Sequence, residues 1–310
     1  MMMFLNSRIS ALSLFALLTA SAASAQSMTQ PLGAAPQPFG PPTPGVPSFS
    51  QSPPPTLTLK QVAVNAGAVF SESNEPIRSG LVWRVFEDRG DTSQPNIVAR
   101  SSNPTPSFTL APGNYIVHVA YGFASATKRI SVQSGNLNER LVVSAGALRL
   151  KGAVGESPIA ASRVSFSVYV PEAQNSEGRL VIANAKPNEV IRLPEGSYHV
   201  VSTYGDANAI MRSDLKVESG KVTEATLNHR AATVTLKLVA SEGGEAFAGT
   251  AFSVLTPGGD VIREAIGAFP SVTLAEGEYV LIARHEGKVF TKDFKVESGL
   301  DRDIEVLAKP

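Results

Sequence analysis

The stretch Leu193-Pro194-Glu195-Gly196-Ser197-Tyr198-His199-Val200 has two counterparts in the chain. They are Leu110-Ala111-Pro112-Gly113-Asn114-Tyr115 before it and Leu274-Ala275-Glu276-Gly277-Glu278-Tyr279 after it, with the glycines 83 and 81 residues apart. A second block keeps step with the first. Val132-Gln133-Ser134-Gly135, Val217-Glu218-Ser219-Gly220 and Val296-Glu297-Ser298-Gly299 follow at 22, 24 and 22 residues, counted glycine to glycine. Two anchors held in register three times mark an internal repeat. A period of this length is that of a small domain rather than of a solenoid coil.

Each copy reads as β. Behind the Gly-x-Tyr turn the apolar residues alternate with period two, which puts Tyr115, Val117, Val119 and Tyr121 on one face. Tyr198, Val200, Ser202 and Tyr204 share a face in the second copy, as do Tyr279, Leu281, Ala283 and His285 in the third. An earlier strand carries Trp83 and Val85, matched by Phe166 and Val168 and by Phe252 and Val254. In the second copy seven strands are expected, over 148–154, 162–169, 179–183, 189–193, 198–204, 211–217 and 223–229. With no capped amphipathic helix, this predicts an all-β chain of three tandem seven-stranded antiparallel β-sandwich domains, over 57–145, 146–230 and 231–310.

The block Leu193 to Val200, with Tyr204-Gly205 behind it, resembles the signature strand of carboxypeptidase regulatory-like domains, of the transthyretin-like (prealbumin-like) group. A short bacterial surface domain named after its Pro-Glu-Gly-Ala motif is similar. The first copy matches with Pro112-Gly113-Asn114-Tyr115 and Tyr121-Gly122. The third departs, with Ala275 for the proline and His285-Glu286-Gly287 for Tyr-Gly. The resemblance covers one turn and strand per copy. It implies a sandwich fold in an exported setting and modules that bind, space or stabilise, and it carries over no catalytic residue.

Residues 1–25 read as a secretory signal peptide. Arg8 gives the positive n-region, Ala11 to Leu18 the apolar core and Ala23-Ser24-Ala25 the cleavage pattern. The apolar run is shorter than the ~20 residues a membrane span needs, so the expected mature chain has no transmembrane segment. Residues 26–56 follow as a linker holding ten of the 22 prolines and no charge. Such a segment lacks the apolar surface to fold, and at about 3.1 Å per residue it reaches roughly 90 Å if extended.

Composition narrows the function. The 310 residues contain 27 basic and 27 acidic side chains and no cysteine. Disulfides, thiolate metal sites and a cysteine nucleophile are excluded. A neutral chain lacks the basic surface that nucleic acid requires. A cysteine-free exported chain suits a periplasmic or secreted protein of a Gram-negative bacterium, with domains held by cores alone.

The search for chemistry is negative. His118, His199, His229 and His285 occupy no shared repeat position, so they do not predict a metal or catalytic centre. Ser125-Ala126-Thr127-Lys128 fits Ser-x-x-Lys but falls between two strands, where the lysine cannot turn back as it does on a helix. Asp301, Asp303 and Glu305 alternate along the last strand and read as a solvated face rather than a calcium loop. Tyr115, Tyr198 and Tyr279 suit either a sugar platform or a core position with the hydroxyl on backbone. Their valine- and leucine-bearing face favours the core. The expectation is a non-enzymatic binding or scaffolding protein of the periplasm or cell envelope, with no cofactor and no catalytic or metal site. Its partner would be an envelope protein or glycan. The alternatives are a carbohydrate- or peptidoglycan-binding module set and a hydrolase of unfamiliar type.

Overall fold

The structure, a computed structural model, describes residues 61–90, 96–173 and 175–309. The signal peptide and linker expected over 1–56 lie outside these residues. In the first copy the strands are β1 (Val62–Phe70), β2 (Leu81–Glu87), β3 (Ile97–Ser101), β4 (Ser107–Leu110), β5 (Gly113–Tyr121), β6 (Ala124–Val132) and β7 (Leu137–Val143). The second has β8 (Ala145–Val154), the two-residue β9 (Ser157–Pro158), β10 (Val164–Glu172), β11 (Asn175–Ala185), β12 (Val190–Pro194), β13 (Gly196–Tyr204), β14 (Ile210–Val217) and β15 (Val222–Asn228). The third has β16 (Ala231–Val239), β17 (Thr250–Leu255), β18 (Val261–Gly267), β19 (Ser271–Ala275), β20 (Gly277–His285), β21 (Lys288–Val296) and β22 (Arg302–Leu307).

These strands form six sheets, two per copy, with the same order each time. The three-stranded sheets run β4-β1-β7, β12-β8-β15 (with β9 on β8) and β19-β16-β22. The four-stranded ones run β3-β2-β5-β6, β11-β10-β13-β14 and β18-β17-β20-β21. Among the described residues no ladder joins one copy to another, yet residues 57–310 form one compact unit.

The chain is all-β, as the alternation predicts, with one difference of detail. The first and last strands of each copy pair in parallel, β1 with β7, β8 with β15 and β16 with β22. The other ladders are antiparallel. Period-two alternation is the same in both ladder types, so residue pattern could not separate them.

Each pair of sheets closes on its own core. Trp83, Phe166 and Phe252, at matching positions, are essentially buried. Around them pack Val64, Val85 and Val117 in the first copy, Leu148, Leu150 and Val200 in the second, and Leu236, Leu274 and Leu281 in the third. Burial of each such side chain contributes about 1.5–3 kcal/mol, which offsets the missing disulfides. A fourth, small cluster of Tyr204, Ala209 and Ala231, with Val154 and Ile159 against it, lies where the second and third copies meet.

Candidate functional site

The residues that define the repeat do two jobs. The tyrosine after the glycine is buried in every copy and donates its hydroxyl to the carbonyl four residues back. Tyr115 reaches Ala111 at 2.9 Å, Tyr198 reaches Pro194 at 2.8 Å and Tyr279 reaches Ala275 at 2.8 Å. Burial pushes the pKa of Tyr115 and Tyr198 up, as expected for a phenol kept from water. These rings fill the core and offer no face to a sugar.

The Tyr-Gly pair at the other end of the same strand forms a joint. Gly122 follows Tyr121 with φ 62°, and Gly205 follows Tyr204 with φ 71°. A Cβ on Gly122 would stand 2.5 Å from Cβ of Arg192, on β12 of the second copy. A Cβ on Gly205 would stand 2.5 Å from Cβ of Thr273, on β19 of the third. Arg192 and Thr273 both precede the leucine of the signature block, so the two joints use one geometry.

Each joint has its own polar lock. At the first, the Phe123 N–H donates to the Arg192 carbonyl at 3.0 Å, and the Arg192 guanidinium lies 5.2 Å over the Tyr121 ring. Ser71 meets the buried Ser219 of the Val-Glu-Ser-Gly block, hydroxyl to hydroxyl, at 2.8 Å. At the second, Arg163 lies 5.1 Å over the Tyr204 ring and donates to Thr233 at 2.5 Å and Thr273 at 3.0 Å. The Asn208 side chain donates to the Tyr279 hydroxyl at 2.9 Å and accepts from the Ala275 N–H at 3.0 Å.

The four histidines are scattered. His118 lies on the outer face of the first copy, edge-on to Phe86. His199 sits 2.8 Å from the Asp214 carboxylate. His285 stacks on Phe247 at 5.2 Å. His229 is buried with Nε2 2.7 Å from the Ser202 hydroxyl. Residue types alone did not single out this Ser–His pair. Its signal was Ser202 at an inward position that holds Val119 in the first copy, since a buried hydroxyl requires a partner. The distance suits a nucleophile and base, but Ser202 is 0% exposed, so no substrate reaches its oxygen. Burial pushes the His229 pKa down, and a hydrogen bond with the Ala209 backbone opposes it.

Other expected groups are used structurally. Ser125 and Lys128 lie within β6 rather than between two strands, three residues apart and so facing opposite ways, and Lys128 pairs with Glu139 at 2.7 Å. Asp301 accepts from the Thr233 N–H at 2.7 Å, Asp303 pairs with Lys237, and Glu305 accepts from the Gly243 N–H at 2.9 Å. No group of three or more His, Asp or Glu that could hold a metal occurs among the described residues. A cavity of about 410 Å³ at the second joint is lined by Ser157, Ile159, Arg163, Tyr204, Ala231 and Asp301.

One surface was missed in the sequence. Arg100, Arg84 and His118 stand side by side across three strands of the outer face of the first copy, β3, β2 and β5. Neither arginine side chain has a hydrogen bond or ion pair among the described residues, and Nδ1 of His118 is buried without a partner. Burial first, and Arg84 second, hold the His118 pKa low. Like charges directly opposite each other destabilise a sheet. The residues are far apart in sequence, so only strand register brings them together.

Comparison with known proteins agrees with a repeat. Residues 233–308 match the family described as the Rhizobiales growth-associated tandem repeat domain, which takes in most of the third copy. No curated protein matches the chain. Among solved structures, the Bacillus anthracis TIE protein aligns at 16% identity and TM-score 0.25, over 80% of this chain and 50% of its own length. BcpA, the major pilin subunit of Bacillus cereus, aligns at 10% and 0.24, over 81% and 100%. A streptococcal ancillary pilin aligns at 12% and 0.27, over 80% and 99%. No role is taken from these likenesses. Among the described residues no helix is long and apolar enough to cross a membrane.

Proposed function

We propose that this is an exported, non-enzymatic scaffolding protein of the cell envelope. A cleaved signal peptide (1–25) and a proline-rich linker (26–56) precede three β-sandwich domains at 57–145, 146–230 and 231–310, of the carboxypeptidase regulatory-like type. The observation that carries this reading is the joint used twice: Gly122 against Arg192 and Gly205 against Thr273. The sequence blocks shared by the copies lie in cores and joints. A chain built this way holds modules in fixed series and presents their outer faces. The third copy's match to a family described as growth-associated supports a role connected with growth. Crosslinking in living cells followed by mass spectrometry tests the reading, which expects reproducible adducts to an envelope component. Turnover of cell-wall, ester or peptide substrates by the purified chain would contradict it.

A second reading, a glycan-binding module, is favoured by the unpaired Arg84–Arg100 row. Two guanidinium groups in register suit the carboxylates of an acidic envelope glycan such as peptidoglycan. Isolated sacculi should retain the wild-type chain at low salt and release an Arg84→Ser/Arg100→Ser variant. Equal retention of both would remove this reading.

A further inference from the structure

The third copy differs from the other two where the joint would be. Glu286 occupies the position of Gly122 and Gly205, nine residues after the signature glycine, and keeps the same left-handed backbone, with φ 49° against 62° and 71°. Its carboxylate side chain is 85% exposed. At both existing joints a Cβ in this place would lie 2.5 Å from the side chain of the following copy. That is well inside van der Waals contact, and a glutamate adds four further heavy atoms and a charge.

A second change points the same way. Ile77, Ile159 and Phe247 are equivalent, because each N–H donates at 2.9 Å to a carbonyl of the first strand of its copy, from Ala68, Gly152 and Leu238. In the third copy this position holds the large ring of Phe247, which stacks on His285 at 5.2 Å. Of the counterparts of His285, Tyr121 is covered by Arg192 of the next copy and Tyr204 by Arg163 of its own copy.

Among the described residues, nothing covers the opposite half of a joint on the first copy. Thr109, equivalent to Arg192 and Thr273, is exposed, and Gly135, equivalent to the joint residue Gly220, has nothing within 4 Å of a built Cβ. A second copy of this chain could seat its third-copy hairpin on that half. Such a head-to-tail contact repeats from chain to chain and grows into a ring or an open filament.

We infer that the Tyr-Gly hairpin is a docking surface for the β4-type edge of another copy of this repeat, and that Phe247, His285 and Glu286 close that surface in the third copy against a second chain. The same three positions carry Ile, Tyr and Gly in both other copies. A Phe247→Ile/His285→Tyr/Glu286→Gly variant thus carries the residues that the other two copies hold at these positions.

Sedimentation of the full chain tests this. The wild type is expected as one species whose mass does not change up to millimolar concentration. The triple variant is expected to associate, its average mass at least doubling over the same range. Adding Ser134→Trp on the first copy, at the counterpart of the joint residue Ser219, should return it to a single species. Circular dichroism confirms that each variant keeps its β signal. Two results overturn the inference: a triple variant that stays monomeric at the highest concentration, or a wild type that already assembles through Thr109 and the third hairpin.

Discussion

At the residue scale, the most informative groups are polar atoms placed inside. The hydroxyl of Tyr198 occupies the Pro194 carbonyl at 2.8 Å. Tyr198→Phe removes that bond but keeps the ring, and should lower stability by about 1 kcal/mol. In urea titration the midpoint should fall while the slope stays unchanged; an unaltered midpoint would contradict the assignment.

His229 makes a prediction of a different kind. It is buried and its pKa is held below the usual value. In the unfolded chain it titrates near about 6.5. Between the two values only the unfolded chain carries the proton, so stability rises with pH in that window. The contribution is complete above about pH 6.5 and is lost as the pH falls toward the lowered folded value. His118 is shifted in the same direction and adds to the slope. His229→Gln should melt with a shallower acid-side loss than the wild type between about pH 8 and pH 5. Identical slopes would show that His229 is not the group responsible.

At the scale of elements, alternation placed the strands well. The stretch 198–204 expected in the second copy is observed as Gly196–Tyr204, 211–217 as Ile210–Val217, and 223–229 as Val222–Asn228. The reason is that one face of each strand is buried, so Tyr198, Val200 and Tyr204 had to alternate with polar residues. Partner choice was not legible. The β8–β15 ladder joins residues some 75 positions apart, such as Thr223 and Leu148, and nothing local in either strand encodes parallel pairing. The joint was half legible: the Tyr-Gly pair was visible as a repeat, but its contact with Arg192 or Thr273 depends on how two copies pack.

Gly205 makes that contact testable. Gly205→Ala sets a methyl 2.5 Å from Thr273 Cβ and puts a non-glycine residue at φ 71°. Gly287→Ala imposes the same kind of backbone, φ 76°, in open space. The second change should cost about 1–2 kcal/mol from conformation alone. The first should cost clearly more and make the chain near residues 205 and 273 exchange its amide hydrogens faster. Equal costs, with no change in exchange, would mean that the second joint is not tightly packed.

For the whole molecule, the arrangement is three copies joined in series along the chain. Each copy owns its core and meets its neighbour only at a joint, so stability is close to a sum of module terms and nearest-neighbour terms. The chain supplies a convenient local probe, since Trp83 is its single tryptophan and sits fully buried in the first copy. Circular dichroism reports all six sheets, whereas Trp83 fluorescence reports one core. In denaturant, Gly205→Ala weakens the joint between the second and third copies, which is remote from Trp83. The dichroism transition should broaden and begin earlier, while the Trp83 transition keeps its midpoint. Gly122→Ala, at the joint next to the first copy, should shift the fluorescence transition as well. If Gly205→Ala moved both signals together, the copies would be unfolding as one cooperative body, and the joints would be part of a common core rather than contacts between modules.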